Sequence, residues 1–274
     1  QDHALSPIES RDIPVPPPAL THLQSVPGTI FNGMVTPLIP YSIRGVIWYQ
    51  GESDASRAWR YRTLFPLMIQ DWRMSWQGPD LPFYFCQLAN YGEKRAVPAD
   101  SNWAELREAQ SMALALPGTG QAVLIDLGEA RNIHPQRKKE AGLRLARLAL
   151  ARTYDRTVTD SGPVFSSASV ENDRIRVKFD GVGGGLVARP VPETYDIDLA
   201  SGQRADLNRN SPGSELEGFQ ICGGDKVWHW AQAAISGETV VVWSKGVHNP
   251  IAVRYGWADK PAVNLYNDAG LPAT

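Results

Sequence analysis

His134 lies in the string Gly128-Glu-Ala-Arg-Asn-Ile-His-Pro135, between an apolar run and a stretch with helical spacing. An imidazole at such a junction is mobile and partly exposed, and its ordinary titration range suits proton transfer near neutrality. Gln50 follows another apolar run, in Gln50-Gly-Glu-Ser-Asp54. Its amide NH2 is the kind of donor that holds a developing oxyanion. Glu52, two residues on, can accept backbone N–H bonds and hold its loop, the commoner use of such a carboxylate, or it can orient the histidine. A third polar stretch, Ala89-Asn90-Tyr91, follows the run Phe83 to Leu88.

These groups need a scaffold, and the apolar spacing supplies one. Ile43 to Tyr49 reads as a buried strand, and Ser56 to Trp76 as helical, interrupted where Pro66 opens a second helix. Phe83 to Leu88 is the next strand and Trp103 to Leu116 the next helix. Ala122 to Leu127 is a third strand. Pro135 then falls in the first turn of a helix that places Ala141, Leu145, Leu148 and Ala149 on one face. Three strand–helix units in succession predict a parallel sheet with right-handed crossovers and covered faces. Ligands of such sheets bind beyond the carboxyl ends of the strands, where all three polar stretches fall. One such loop, or one histidine, is most often ordinary surface; three on one edge argue for a site. Three strands are too few for a stable doubly wound sheet, so the rest of the sheet is expected from elsewhere.

After about residue 158 the rhythm changes. Arg174 to Phe179 alternates with period two, and Thr239 to Trp243 and Ile251 to Tyr255 are further β-rich runs between Gly, Pro and Asn turns. This predicts a small antiparallel β domain, structural or sugar-contacting. The organisation expected is a Pro-rich linker over 1–26, an α/β portion over 27–157 and a β-rich accessory domain over 158–274.

Composition narrows the function. The 274 residues are 43% hydrophobic and 20% charged, with a formal net charge of -2 and no block of like charges, so nothing points to nucleic acid or an anionic membrane. No apolar run approaches the roughly 18 residues of a membrane span. Cys86 and Cys222 match no metal spacing and form either one long-range bridge or two buried thiols. Nine tryptophans serve core packing in the main, and exposed ones would stack on sugar rings. Gln1 to Glu9 lacks the apolar segment of a signal peptide, and Pro14, Pro16, Pro17, Pro18 and Pro27 crowd one stretch. A chain that opens within a linker leads us to expect a segment ahead of it.

Several strings together resemble one family. Phe31-Asn-Gly-Met-Val35, Gly45-Val-Ile-Trp-Tyr-Gln-Gly-Glu-Ser53, Gln87-Leu-Ala-Asn90, Trp103-Ala-Glu-Leu-Arg-Glu-Ala-Gln110, Ile133-His-Pro135 and Asn264-Leu-Tyr-Asn267 resemble the sialate O-acetylesterases, carbohydrate acetylesterases among the SGNH hydrolases. The likeness runs from about residue 27 to the end, and the Trp-Tyr-Gln-Gly-Glu-Ser string is its most specific part. The resemblance implies part of a flavodoxin-like parallel sheet with helices on both faces, followed by a small antiparallel β domain. It implies ester hydrolysis on O-acetylated sugars by a Ser–His mechanism, outside the cytoplasm, with no metal or organic cofactor.

Residue by residue, Gly33 resembles the second-block glycine whose backbone N–H helps bind the oxyanion, Gln50 the third-block donor, and His134 the fifth-block base. Glu52, Asn90, Asn132 and Arg107 are then expected to bind substrate or support the site. The Gly-rich turn that presents the nucleophilic serine has no counterpart: Ser53 falls inside the third-block signature, and Ser6 and Ser25 in the linker. The expected partners are therefore an amino-terminal segment or chain carrying that serine, and an O-acetylated carbohydrate. Relatives commonly place Asp two residues before the histidine, whereas here that residue is Asn132, which leaves Asp126, Glu129, Glu52 and an acid on the expected amino-terminal segment as candidates. An inactive fragment and a non-enzymatic sugar-binding protein are the alternatives.

Overall fold

The computed structural model describes residues 26–189 and 215–274. All of the predicted linker except Val26 falls outside these residues. Compactness divides the chain at Ser42/Ile43. In the first unit, Phe31–Val35 forms a π-type turn and Thr36–Leu38 a 3-10 turn.

In the second unit, β1 (Val46–Trp48), β2 (Phe83–Cys86) and β3 (Thr119–Ala122) form a parallel sheet in that order, with Val46 opposite Phe83 and Phe83 opposite Thr119. Helix α1 (Ala58–Ser75) follows β1, α2 (Asn102–Met112) follows β2, and α3 (Lys138–Arg152) follows β3. Every residue of β2 is buried, as a central strand covered on both faces must be. Phe83 and Phe85 point to one face, where they pack with Tyr61, Phe65 and Ile69 of α1 and Leu106 and Ala109 of α2. Tyr84 and Cys86 point to the other, against Ala141, Leu145 and Leu148 of α3. Each fully buried Phe, Leu or Ile contributes about 1.5–3 kcal/mol relative to exposure.

Three local expectations need correction. Helix α1 is continuous through Pro66. The lost N–H would have bonded to the carbonyl of Arg62, an exposed position where water can serve instead, while Tyr61, Phe65 and Ile69 anchor the helix on both sides of the proline. Strand β3 is Thr119–Ala122 rather than 122–127, because those four residues pair with β2; residues 124–127 turn instead, the N–H of Leu127 reaching the carbonyl of Leu124 at 2.9 Å. Helix α3 starts at Lys138, and Pro135 precedes it in a turn held by side chains.

The remainder is antiparallel β. Strands β4 (Val164–Glu171), β5 (Arg174–Asp180), β6 (Leu186–Ala188), β7 (Phe219–Gly223), β8 (Trp228–Trp230), β9 (Gln232–Ser236), β10 (Thr239–Trp243), β11 (Pro250–Tyr255) and β12 (Leu265–Asn267) form sheets ordered β4-β5-β10-β9, β11-β7-β8 and β12-β6. Ile175, Val177, Phe179, Phe219, Ile221, Val240 and Val242 close their common core. Both cysteines are buried free thiols, and burial pushes Cys86 up to about 12. Among the described residues no helix is long and apolar enough to cross a membrane, and no group of three or more His, Cys, Asp or Glu could hold a metal ion.

Among the described residues the outer edge of β1 is unpaired, and Ile47 at its centre is 68% exposed although its chain neighbours are partly or fully buried.

Candidate active site

The loops that leave β1, β2 and β3 come together at the carboxyl edge of the sheet, linked by side chains that the spacing alone did not single out. Gln110 of α2 is the first link: its Nε2 donates to the Gln50 carbonyl at 3.0 Å, and its Oε1 accepts from the Leu88 N–H at 2.8 Å. A buried glutamine on the apolar face of a helix was the available signal, at the end of the Trp103–Gln110 string. The second link is Asn90, buried after β2, whose Oδ1 accepts the Gly128 N–H at 2.5 Å. A Cβ on Gly128 would overlap the Asn90 carbonyl, so only glycine permits this approach. Tyr91 and Glu129 form an isolated parallel bridge, and the Gly92 N–H reaches the Ala130 carbonyl at 3.1 Å. Asn90 therefore supports the site by binding one loop to another.

Gln50 is half-buried and its side chain is held at both ends. The Tyr61 hydroxyl donates to Gln50 Oε1 at 2.9 Å, and Gln50 Nε2 donates to Asp54 Oδ2 at 2.9 Å. A carboxylate only accepts, so the amide orientation follows from its partners and one N–H of Nε2 stays free. Glu52 does not hold this loop: its carboxylate makes no hydrogen bond among the described residues, and Asp54 and Gln110 perform that task.

His134 is exposed, and among the described residues its imidazole makes no hydrogen bond. Its backbone is secured. The Oδ1 of Asn132 accepts the His134 N–H at 2.9 Å, so this oxygen holds the loop and does not hold the ring. Asn132 Nδ2 donates to Glu129 Oε2 at 3.2 Å, and Glu129 Oε1 accepts the Gln136 N–H at 2.7 Å. Glu129 is 2% exposed, and with both oxygens taken it braces the turn. Asp126 is also engaged: Arg144 binds it through two N–H bonds of 2.5 and 2.7 Å, and the Tyr266 hydroxyl donates to it at 3.0 Å. Burial works against the Arg144 charge, but these bonds and the Asp126 charge outweigh it and push its pKa up. Of the three candidate acids, Glu52 alone has a carboxylate without hydrogen bonds among the described residues.

Arg107 turns away from the loops. It is 3% exposed and its Nη2 donates to the carbonyls of Gly256 at 2.7 Å and Ala258 at 2.6 Å, clamping α2 to the turn after β11. Burial pushes it down to about 10, opposed by the charge of Asp259. Asp259 completes the clamp: it accepts from the Ser101 hydroxyl at 2.5 Å and from Arg95 at 3.2 Å, while its carbonyl accepts the Tyr91 N–H at 3.0 Å. The β-rich part thus fixes the loop after β2. Gly33 belongs to the 26–42 unit, exposed in its π-type turn, and a Cβ there would meet nothing within 4 Å.

An open α/β layer with polar loops gathered on the carboxyl edge of its sheet has the place where such folds bind ligands. The family model that matches residues 30–151 is described as carbohydrate esterase, sialic acid-specific acetylesterase. Sialate O-acetylesterase from Mus musculus is 34% identical over 255 residues, covering 85% of this chain and 42% of its own length. The Homo sapiens protein of that name is 30% identical over 154 residues. The crystal structure of a carbohydrate acetylesterase from Xanthomonas citri superposes with a TM-score of 0.76 at 40% identity, covering 89% of this chain and 52% of that one. Over residues 30–151 the chain matches the sialate O-acetylesterase-like family of carbohydrate acetylesterases. It spans about half the length of the relatives it matches.

Proposed function

We propose that the chain works in a carbohydrate O-acetylesterase that releases acetate from O-acetylated sugars, with His134 as the general base and the nucleophilic serine on a separate amino-terminal segment. The observation that carries the reading is the exposed imidazole of His134 on the carboxyl-edge loops, with a backbone held in place and a ring free to exchange protons. The serine oxygen forms a bond to the acetyl carbon as His134 takes its proton. The bond between the acetyl carbon and the sugar oxygen then breaks, and the proton passes to the departing sugar oxygen. Water, activated by His134, releases acetate and restores the serine. The N–H of Gln50 Nε2 that has no partner among the described residues stabilises the oxyanion.

Two features support the separate segment. The outer edge of β1 has no strand partner among the described residues and lies beside the exposed Ile47, the kind of edge that another strand covers. The Tyr49 hydroxyl, next along the chain from β1, is buried without a partner among the described residues. The test is acetate release by residues 1–274 alone, and again with the upstream segment of the same enzyme supplied in trans. Activity only in the second case is expected; full activity from this chain alone would overturn the proposal.

A further inference from the structure

We propose that the flank of α3 carries an anion-binding site, distinct from the His134 and Gln50 side chains, that takes a carboxylate or sulfate group. A cavity of about 460 Å³ lies there between α3 and the turn after β12, and neither His134 nor Gln50 lines it. Its walls carry Arg137, Arg144, Arg147 and Arg189 against only two carboxylates, Asp126 and Glu140. Two of the arginines are committed: Arg144 to Asp126 and, at 3.1 Å, Arg137 to Glu140. The other two have no carboxylate partner among the described residues. Arg147 gives one N–H to the Thr159 carbonyl at 2.9 Å and keeps the rest.

Arg189 is held in place without spending a donor. Its guanidinium lies over the Tyr266 ring, 5.4 Å from the centroid, and makes no hydrogen bond or ion pair among the described residues. Gly270 leaves room for it: a Cβ there would come within 2.7 Å of Arg189 Nη1. Tyr266 in turn is anchored by its bond to Asp126. Two positive charges in excess, with unused N–H groups on guanidinium planes set by packing, recognise an oxyanion at small entropic cost. The cavity admits one such group or one sugar ring, and the two wall carboxylates discourage a polyanion.

The test is calorimetric titration of the full chain at low ionic strength with sodium sulfate, sodium glucuronate and neutral xylose. Saturable binding of sulfate and glucuronate but not xylose is expected. Arg189→Gln and Arg147→Gln should each weaken it about tenfold or more, the loss of one charge-assisted hydrogen bond. Arg62→Gln, at a surface ion pair on α1, should leave it unchanged. Arg189→Lys, which keeps the charge and loses the planar fork, should lie between. Tighter binding of glucuronate than of sulfate assigns the site to a sugar-borne carboxylate; equal or weaker binding assigns it to a free anion. Thermal unfolding of each variant, unchanged from the parent, separates lost binding from lost fold. Absence of saturable binding, parent-like affinity in both pocket variants, or xylose binding as well as glucuronate would overturn the proposal. No ester is hydrolysed in this assay, so its outcome stands apart from that of the esterase test.

Discussion

The loop after β1 and the loop after β3 secure their functional residues in opposite ways. Gln50 is held through its side chain, by Tyr61 on one side and Asp54 on the other, and through its carbonyl by Gln110. His134 is held only through its backbone, by Asn132, on a turn that Glu129 braces. The contrast matches the roles proposed for the two groups. A donor stabilises charge in the transition state best when its dipole needs no rearrangement, so it is locked in advance. A base passes protons between partners, so under the proposed mechanism its ring is left uncommitted to meet a nucleophile.

The comparison can be broken where the effect is largest. In the complete enzyme, His134→Ala should lower kcat for an aryl acetate by several orders of magnitude, the scale of losing a triad member. A folded variant that keeps more than about a tenth of the parent rate would remove His134 from the role of base. Gln50→Ala should cost about 10²–10³ in kcat with little change in KM. A loss confined to KM would mean that Gln50 binds the ground state.

Smaller changes sharpen it. Tyr61→Phe deletes the hydroxyl that positions the Gln50 amide, so kcat should fall by about tenfold and stability by about 1 kcal/mol, measured by steady-state kinetics and urea unfolding. An unchanged kcat would show that Asp54 alone orients the amide. Asn132→Asp should change least: its carboxylate can still accept the His134 N–H, but loses the bond to Glu129 and faces that carboxylate instead. A loss of about 1 kcal/mol with kcat nearly unchanged is expected. A marked rise in kcat would show that residue 132 orients the imidazole after all.

Much of this organisation was legible in the sequence, and the exceptions share a cause. Alternation over Arg174 to Phe179 marked β5, because period two states directly which side chains face a core, and the β-rich run Thr239 to Trp243 marked β10. The apolar stripe of Ala141, Leu145 and Leu148 likewise marked α3. The placement of His134, Gln50 and Asn90 on strand-end loops followed from the strand–helix rhythm and from the family strings. What local pattern could not state is which partner a polar group meets. Thr119-Gly-Gln-Ala122 has little strand character of its own and becomes β3 because Phe83–Cys86 lies alongside it, while the more apolar 124–127 turns away. Arg107 looked like a site residue until its carbonyl partners Gly256 and Ala258 appeared, about 150 residues further along the chain. Asn132 looked like a support for the imidazole until its oxygen was found on a backbone N–H. Burial is encoded residue by residue through apolar periodicity, so sequence alone determined the layers; hydrogen bonds depend on distances across the chain, so only the tertiary structure decided which side chains hold the loops.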